Sequence, residues 1–161
     1  MTDGVSALPM DALRVVRATA ADSDRLTAMV RGARAYEGEY AAMVAGYLVE
    51  PAYIEAHPVF LAVDGRGTLL GFYSLLLGGA ELDLMFVADG AQGLGIGRRL
   101  IVHMLGEARA AGLTSVRVVS HPPSEGFYRS VGAERVGVSP AQPPKVTWER
   151  PELVFPVPAP G

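Results

Sequence analysis

A glycine-rich turn between a predicted strand and a predicted helix constrains this chain more than any other feature. The stretch that contains it, residues 81–112, reads ELDLMFVADGAQGLGIGRRLIVHMLGEARAAG. Its first part, Glu81–Val87, alternates as a strand does, with a period of two residues. The alternation predicts that Leu82, Leu84 and Phe86 lie on one face of the strand. Asp83, Met85 and Val87 are predicted on the other face.

The turn itself, residues 92–97, leads straight into a helix that we expect to cover residues 95–111 and to end before Gly112. Its three alternate glycines allow close backbone approach and leave N–H groups free to form an anion-binding nest. The positive end of the helix adds attraction for an anion. Because no Lys-Ser/Thr pair follows a glycine at the required spacing, the turn is not a Walker A loop. We interpret it as a phosphate cradle; an ordinary strand-to-helix connection is the alternative.

The remaining pattern predicts an α+β domain with one mixed, mostly antiparallel sheet. Thr19 and Asp22 form the sequence of a capping box at the first helix. A helical crossover makes the strand at 113–119 parallel to the one at 81–87. Strands are predicted at residues 13–17, 59–63, 69–77, 81–87, 113–119, 133–138 and 146–155, and helices at 19–34, 41–49, 95–111 and 124–131, with a single helical turn near 53–56. About seven strands and about four helices result.

Composition excludes several classes of protein. A chain of 161 residues suits one domain, and a net charge of −3 argues against a general nucleic-acid-binding protein. The chain has no cysteine, so it forms neither disulfides nor thiolate metal sites, and no two of its three histidines have ligand spacing. The start lacks a signal-peptide pattern, and the longest uncharged run, residues 67–80, is too short to span a bilayer. We expect a cytoplasmic protein without a bound metal.

Two segments resemble the GCN5-related N-acetyltransferase (GNAT) family. Gln92-x-x-Gly95-x-Gly97 looks like that family's acyl-CoA pyrophosphate signature, Q/R-x-x-G-x-G/A. Residues 124–133, SEGFYRSVGA, are similar to its A-x-x-F-Y-x-x-x-G-F/A stretch about 30 residues later. The resemblance implies an acyl-CoA N-acyltransferase domain over 13–155 in which the two parallel strands splay apart. It leaves a flexible arm at 1–12 and a disordered proline-rich tail at 156–161.

The resemblance also implies acetyl-CoA as the cofactor. The turn amides would hold its pyrophosphate, and the end of the strand at 86–87 would bind its pantetheine arm. His121, Pro123 and Ser124 stand where relatives often have Asn, Asn and Ala. The implied cofactor-binding residues are Met85, Phe86, Val87, Gln92, Gly93, Leu94, Gly95, Ile96, Gly97, Arg98, Ser124, Phe127 and Tyr128.

Three residues are candidates for the chemistry. An amine of pKa about 10.4 must lose a proton before it attacks a thioester, and the leaving thiolate benefits from a donor. Tyr128 matches the family tyrosine that protonates or hydrogen-bonds the departing sulfur; a packed aromatic ring is the alternative. Asp83 stands where many relatives carry an acidic base, and Glu81 shares its face two residues earlier. A solvated strand residue is the alternative interpretation of Asp83.

The expected acceptor is a primary amine, on a small molecule or a peptide. The family's first interhelical loop roofs the acceptor site, so Tyr36, Glu37 and Tyr40 are predicted to bind the acceptor together with Asp83; a solvated loop is the alternative. The predicted function is acetyl transfer from acetyl-CoA by direct attack in a ternary complex. A non-catalytic acyl-CoA-binding module and a phosphate-binding protein unrelated to CoA are the alternatives. No nucleic acid or membrane is expected as a partner, and a homodimer through the last strands is plausible.

Overall fold

The computed structural model describes residues 13–33, 44, 46–91, 93–141, 143 and 148–158. Within these residues the strands are β1 Arg14–Arg17, β2 Val59–Val63, β3 Leu69–Leu76, β4 Glu81–Val87, β5 Ser115–Val119, β6 Glu134–Ser139 and β7 Arg150–Pro156. The α-helices are α1 Ser23–Arg31, α2 Pro51–Ala56, α3 Ile96–Ala110 and α4 Glu125–Ser130.

The seven strands form one sheet in the order β1-β2-β3-β4-β5-β7-β6. Every neighbouring pair is antiparallel except β4 and β5, which are parallel. β4 and β5 pair at a single position, Glu81 opposite Arg117, where the Arg117 N–H donates to the Ala80 carbonyl at 2.8 Å. Beyond it the two strands diverge. The predicted α+β class, the mixed sheet of seven strands and the splayed parallel pair are therefore confirmed.

The sheet separates two apolar cores. One lies between the sheet and α3, around Leu100 and Met104, and the other lies against α1 and α2, around Leu26 and Ile54. α3 approaches the sheet closely at Gly71 of β3, where an added Cβ would lie 3.1 Å from Leu100 Cδ1 and 3.3 Å from Ile96 Cγ2. The cores fix α3, and with it the glycine turn, relative to the end of β4.

A β-bulge interrupts β4 at Asp83. Ser74 of β3 lies opposite Leu84, while the next residue, Leu75, lies opposite Leu82, so Asp83 is an extra residue. Leu82 consequently packs in the core on the α3 side, whereas Leu84 packs in the other core. The prediction that Leu82 shares a face with Leu84 and Phe86 is wrong, because one inserted residue reverses the alternation beyond it.

Several predicted boundaries also change. Thr19 N–H donates to Asp22 Oδ2 at 2.8 Å, as the capping pattern predicted. The helix predicted at 41–49 is wrong for residues 46–49, which are not helical, and α2 begins at 51 with proline in its first turn. β7 runs through Pro156, and the Val157 N–H bonds to the Thr114 carbonyl at 3.0 Å, so the predicted tail is wrong at these two residues.

None of the helices in the described ranges has both the length and the apolar character needed to cross a membrane.

Candidate active site

A cavity of about 360 Å³ lies beside the last residues of β4, Met85, Phe86 and Val87. β4, the turn before α3, and α4 with the residues just before it contribute its walls. Eleven of the twelve predicted cofactor residues that the structure describes line it: Met85, Phe86, Val87, Gly93, Gly95, Ile96, Gly97, Arg98, Ser124, Phe127 and Tyr128. The side chain of Leu94 is exposed instead, and Gln92 lies outside the described residues. The structure thus brings both sequence motifs to one cavity.

The turn presents backbone donors to this cavity. Gly93 and Gly95 have φ angles of 84° and 76°, in the left-handed region that favours glycine. The Arg99 N–H donates to the Gly95 carbonyl at 3.0 Å and is the first amide in the helical ladder of α3. The N–H groups of Ile96, Gly97 and Arg98 therefore precede the ladder. Backbone donors, the helix dipole and the Arg98 cation together fit a phosphate or diphosphate.

Tyr128 of α4 forms part of the opposite wall. It is 7% exposed, and its ring meets Phe155 of β7 edge to face at a centroid distance of 6.2 Å. Phe127, its neighbour, contacts it at 5.4 Å and also lies against Gly97 of α3. Tyr128 therefore packs against its neighbours and also lines the cavity, while its role at the departing sulfur stays a prediction.

Asp83 lies on β4 at the bulge, with its side chain exposed. The Tyr53 hydroxyl of α2 donates to Asp83 Oδ2 at 2.5 Å and also lies 2.7 Å from Ser74 Oγ. Burial and then the bond to Asp83 raise the pKa of Tyr53 above its usual value. Burial, followed by the negative charge of Asp83, also raises the pKa of Tyr47. Two phenols thus surround one carboxylate.

Tyr53 and Tyr47 are not among the site residues that the sequence predicted. Tyr53 was expected only in a short helical turn, and no local spacing connects it to Asp83, 30 residues later. The predicted acceptor residues Tyr36, Glu37 and Tyr40 lie outside the described residues.

Glu81, the other acidic candidate, has a different environment. Its Oε1 accepts from Arg117 Nη2 at 3.1 Å, and the same guanidinium lies 3.9 Å from Glu152 of β7. Glu81 therefore joins the parallel strands where they meet, before the strands diverge.

The three histidines have different surroundings, and among the described contacts only the ring of His57 lies near the Asp83 group, 4.9 Å from the ring of Tyr53. His103, predicted to be on the helix surface, is half-buried, with Nδ1 2.8 Å from the Tyr73 hydroxyl and its ring 4.5 Å from Phe60. Burial lowers the pKa of His103, although the charge of Glu107 acts in the opposite direction. His121 is buried before the turn at 122–124, and its carbonyl accepts from the Ser124 N–H at 3.0 Å. Among the described residues, no three acidic or histidine side chains are grouped to hold a metal ion.

The fold and the cavity define the class of protein. The family model for the acetyltransferase (GNAT) domain matches residues 39–142, more than half of the chain. The chain therefore belongs to the GCN5-related N-acetyltransferase family, as the two motifs predicted.

Individual proteins resemble the chain in sequence or in fold. The chain is 31% identical over 105 residues to the peptidyl-lysine N-acetyltransferase YjaB of Salmonella typhimurium, a match that covers 65% of this chain and 66% of that protein, just under two thirds of its length. A GCN5-related N-acetyltransferase structure from Rhodopseudomonas palustris superposes with a TM-score of 0.73 at 16% identity, covering 95% of this chain and 99% of that one. The yncA structure from Salmonella typhimurium, solved with acetyl-CoA, gives 0.70 at 18% identity, covering 92% and 96%. At these identities the two structures show the shared fold.

Proposed function

We propose that this chain is an acetyl-CoA-dependent N-acetyltransferase that acetylates a primary amine by direct attack within a ternary complex. One observation carries the proposal: the cavity beside the end of β4 is lined by both family motifs, the glycine turn and the segment of Tyr128. The name of the Salmonella relative and the presence of acetyl-CoA in the yncA structure support it. We assign the activity to the domain predicted at 13–155, extended to residue 157 by the end of β7 and the bond of Val157.

The described residues fit acetyl-CoA. The N–H groups at the start of α3, with Arg98, supply donors and positive charge for a diphosphate. The apolar wall formed by Met85, Phe86 and Val87 suits the pantetheine arm. When bound, acetyl-CoA supplies an acetyl thioester, which an amine converts to an amide with release of the CoA thiol.

Asp83 is the proposed base. A primary ammonium must give up a proton to become a nucleophile, and the exposed carboxylate can accept one. Asp83 precedes Met85 of the cavity wall by two residues, about 6.5 Å along a strand. Glu81 is the weaker candidate because Arg117 already occupies its carboxylate.

Tyr128 is the proposed acid. Its ring is fixed by Phe127 and Phe155, and the residue lines the cavity in which the thiol would depart. A phenol of ordinary pKa about 10 can donate to a thiolate whose conjugate acid has a pKa of about 8.5. Donation by Tyr128 yields a tyrosinate, which regains its proton from solvent or from the base.

A peptide lysine is the proposed acceptor. The Salmonella relative carries that substrate class in its name. An ammonium group on a flexible stem suits a site with one carboxylate, Asp83, and two neighbouring phenols, Tyr47 and Tyr53, because the phenols offer aromatic faces to a cation. A small-molecule amine is the competing outcome of the test below.

The test combines binding with turnover. Calorimetry measures the affinity for CoA, with ATP as a control ligand of similar charge. Thiol release from acetyl-CoA is then followed with a lysine peptide, with the same peptide pre-acetylated on the lysine Nε, and with a panel of small amines. We expect CoA binding, no competition by ATP, and release only with a free amine. Binding without release from any amine would indicate an acyl-CoA-binding module, and absence of CoA binding would refute the proposal.

A further inference from the structure

The bulge at Asp83 is stabilised by side chains rather than by the sheet alone. An extra residue removes one regular ladder partner from the strand. Here the buried Leu84 N–H donates to Ser74 Oγ at 3.0 Å. Ser74 is fully buried, and its hydroxyl lies 2.7 Å from the Tyr53 hydroxyl, which bonds Asp83.

The direction of these bonds follows from the number of protons. An ionised carboxylate has none to give, so Tyr53 donates its only hydroxyl proton to Asp83. Tyr53 must then accept from Ser74, whose own lone pair accepts from the Leu84 N–H. The chain of donors is therefore directed from the strand backbone to the carboxylate, and no member is in conflict with its neighbour.

Tyr53 is itself held in place. The following residue, Ile54, is 1% exposed in the core, and its N–H donates to the Glu50 carbonyl at 3.1 Å. The segment before α2 is anchored to α1, because the Val49 carbonyl accepts from Ser23 Oγ at 2.6 Å and the Val49 N–H donates to Thr27 Oγ1 at 2.9 Å. The phenol that reaches Asp83 therefore projects from a fixed turn of helix.

We infer that Tyr53 is a positioning residue, which holds the Asp83 carboxylate through the Ser74–Tyr53–Asp83 chain in the orientation that accepts the proton of the acceptor amine. The inference rests on the proposed function. The Tyr53 hydroxyl bonds only one carboxylate oxygen of Asp83, Oδ2. Because the Asp83 side chain is exposed, its other oxygen, Oδ1, can contact the amine. A carboxylate that rotates freely would present the amine with many geometries, and poor orientation alone can reduce rates strongly.

The first experiment is a double-mutant cycle of Tyr53→Phe and Asp83→Asn, with Tyr73→Phe as the matched control. Tyr73 of β3 is a buried tyrosine whose hydroxyl makes a side-chain bond to His103, in the core on the α3 side. We expect Tyr53→Phe to lower kcat about tenfold, with the KM for acetyl-CoA unchanged. In the Asp83→Asn background the same change should alter kcat less than twofold, because Tyr53 acts through the carboxylate. Tyr73→Phe should leave kcat within twofold.

Equal losses of kcat in both backgrounds, or no loss in the wild-type background, would overturn the inference.

A second measurement needs no turnover. The ¹³Cζ resonance of Tyr53 should shift on Asp83→Asn, and the ¹³Cγ resonance of Asp83 should shift on Tyr53→Phe but not on Tyr73→Phe. Tyr53 and Tyr47 both interact with this carboxylate, and neither changes in the control. If the resonances shift but no amine is acetylated, the proposed function fails while the hydrogen bond stands. If the resonances do not move, the inference fails even in an active enzyme.

Discussion

Gly97 of α3 lies so close to Phe127 of α4 that no side chain fits between them. A Cβ added to Gly97 would lie 2.9 Å from Phe127 Cζ and 3.1 Å from Cε1. Gly97 is the last glycine of the turn motif and Phe127 belongs to the second motif, so this contact joins the two walls of the cavity. The third glycine is therefore needed for packing, in addition to any contact with a ligand.

This contact predicts that Gly97→Ala weakens CoA binding. Phe127 is partly exposed on a short helix, so its ring, rather than α3, should move. We expect the Kd for CoA to rise about tenfold, the size of a typical overpacking cost. Calorimetric titration with CoA measures it.

Gly106→Ala is the matched control in the same helix. An added Cβ there meets no atom within 4 Å, and the residue is exposed. Replacing glycine by alanine in a helix should increase the free energy of unfolding by about 0.5–1 kcal/mol and leave the Kd for CoA unchanged. If Gly97→Ala bound CoA as the wild type does, the contact would not shape the cofactor site.

Tyr128→Phe tests the proposed acid. The ring contacts with Phe127 and Phe155 survive in the variant, so the affinity for CoA should stay within about twofold. If the hydroxyl donates to the departing thiolate, kcat should fall about 100-fold, at the low end of the range for proton transfer. Steady-state thiol release with a lysine peptide measures kcat. A kcat within twofold of the wild-type value would rule out this role.

The sequence predicted the glycine turn and its flanking elements because the residues that form them are neighbours in the chain. Glycine spacing, the strand before it and the helix after it all lie within residues 81–112, and α3 differs from the prediction by one residue at each end. The second motif, residues 124–133, could likewise be recognised in the sequence because it is one short, continuous segment. Their convergence on one cavity follows from the parallel crossover, which sequence order alone implies.

The arrangement around Asp83 was not predictable, because it depends on residues that are far apart in the sequence. The bulge at Asp83 depends on how β4 pairs with β3, and alternation within β4 gives no sign of an inserted residue. Tyr53 and Asp83 meet only because α2 packs on the sheet beside Ser74. His103 likewise looks exposed on the helix pattern, but the hydroxyl of Tyr73 and the ring of Phe60 cover part of it.

Ser74→Ala tests how much the bulge depends on its side-chain bonds. The change leaves the buried Leu84 N–H without the acceptor at 3.0 Å. A buried unsatisfied donor costs about 1–3 kcal/mol, so the free energy of unfolding should fall by that amount in urea titrations. Ser130→Ala is the control, because its hydroxyl bonds the Phe127 carbonyl at an exposed position and should change stability by less than about 0.5 kcal/mol. Equal effects of the two substitutions would contradict a structural role for the Ser74 hydroxyl.

His103 predicts how stability depends on pH. Burial lowers the pKa of His103 in the folded protein relative to the unfolded value of about 6.5, and the opposing charge of Glu107 does not reverse the shift. In the unfolded chain, protonation therefore begins at a higher pH than in the folded protein. As the pH falls from about 6.5 through the folded pKa, the unfolded state binds more protons, and the free energy of unfolding decreases. Above about pH 7.5 both states are neutral at this residue and the contribution is constant.

His103→Gln removes this titration while it keeps a polar side chain that can bond the Tyr73 hydroxyl, 2.8 Å from the imidazole Nδ1 in the native protein. The loss of stability between about pH 7.5 and pH 5 should accordingly be smaller in the variant than in the wild type. Urea unfolding at several pH values measures the slope of the free energy of unfolding against pH for the wild type and for the variant. Glu107, whose charge acts on the imidazole, remains in both proteins, so its own titration contributes to both. A wild-type slope equal to or shallower than that of the variant would show that the folded protein does not favour neutral His103.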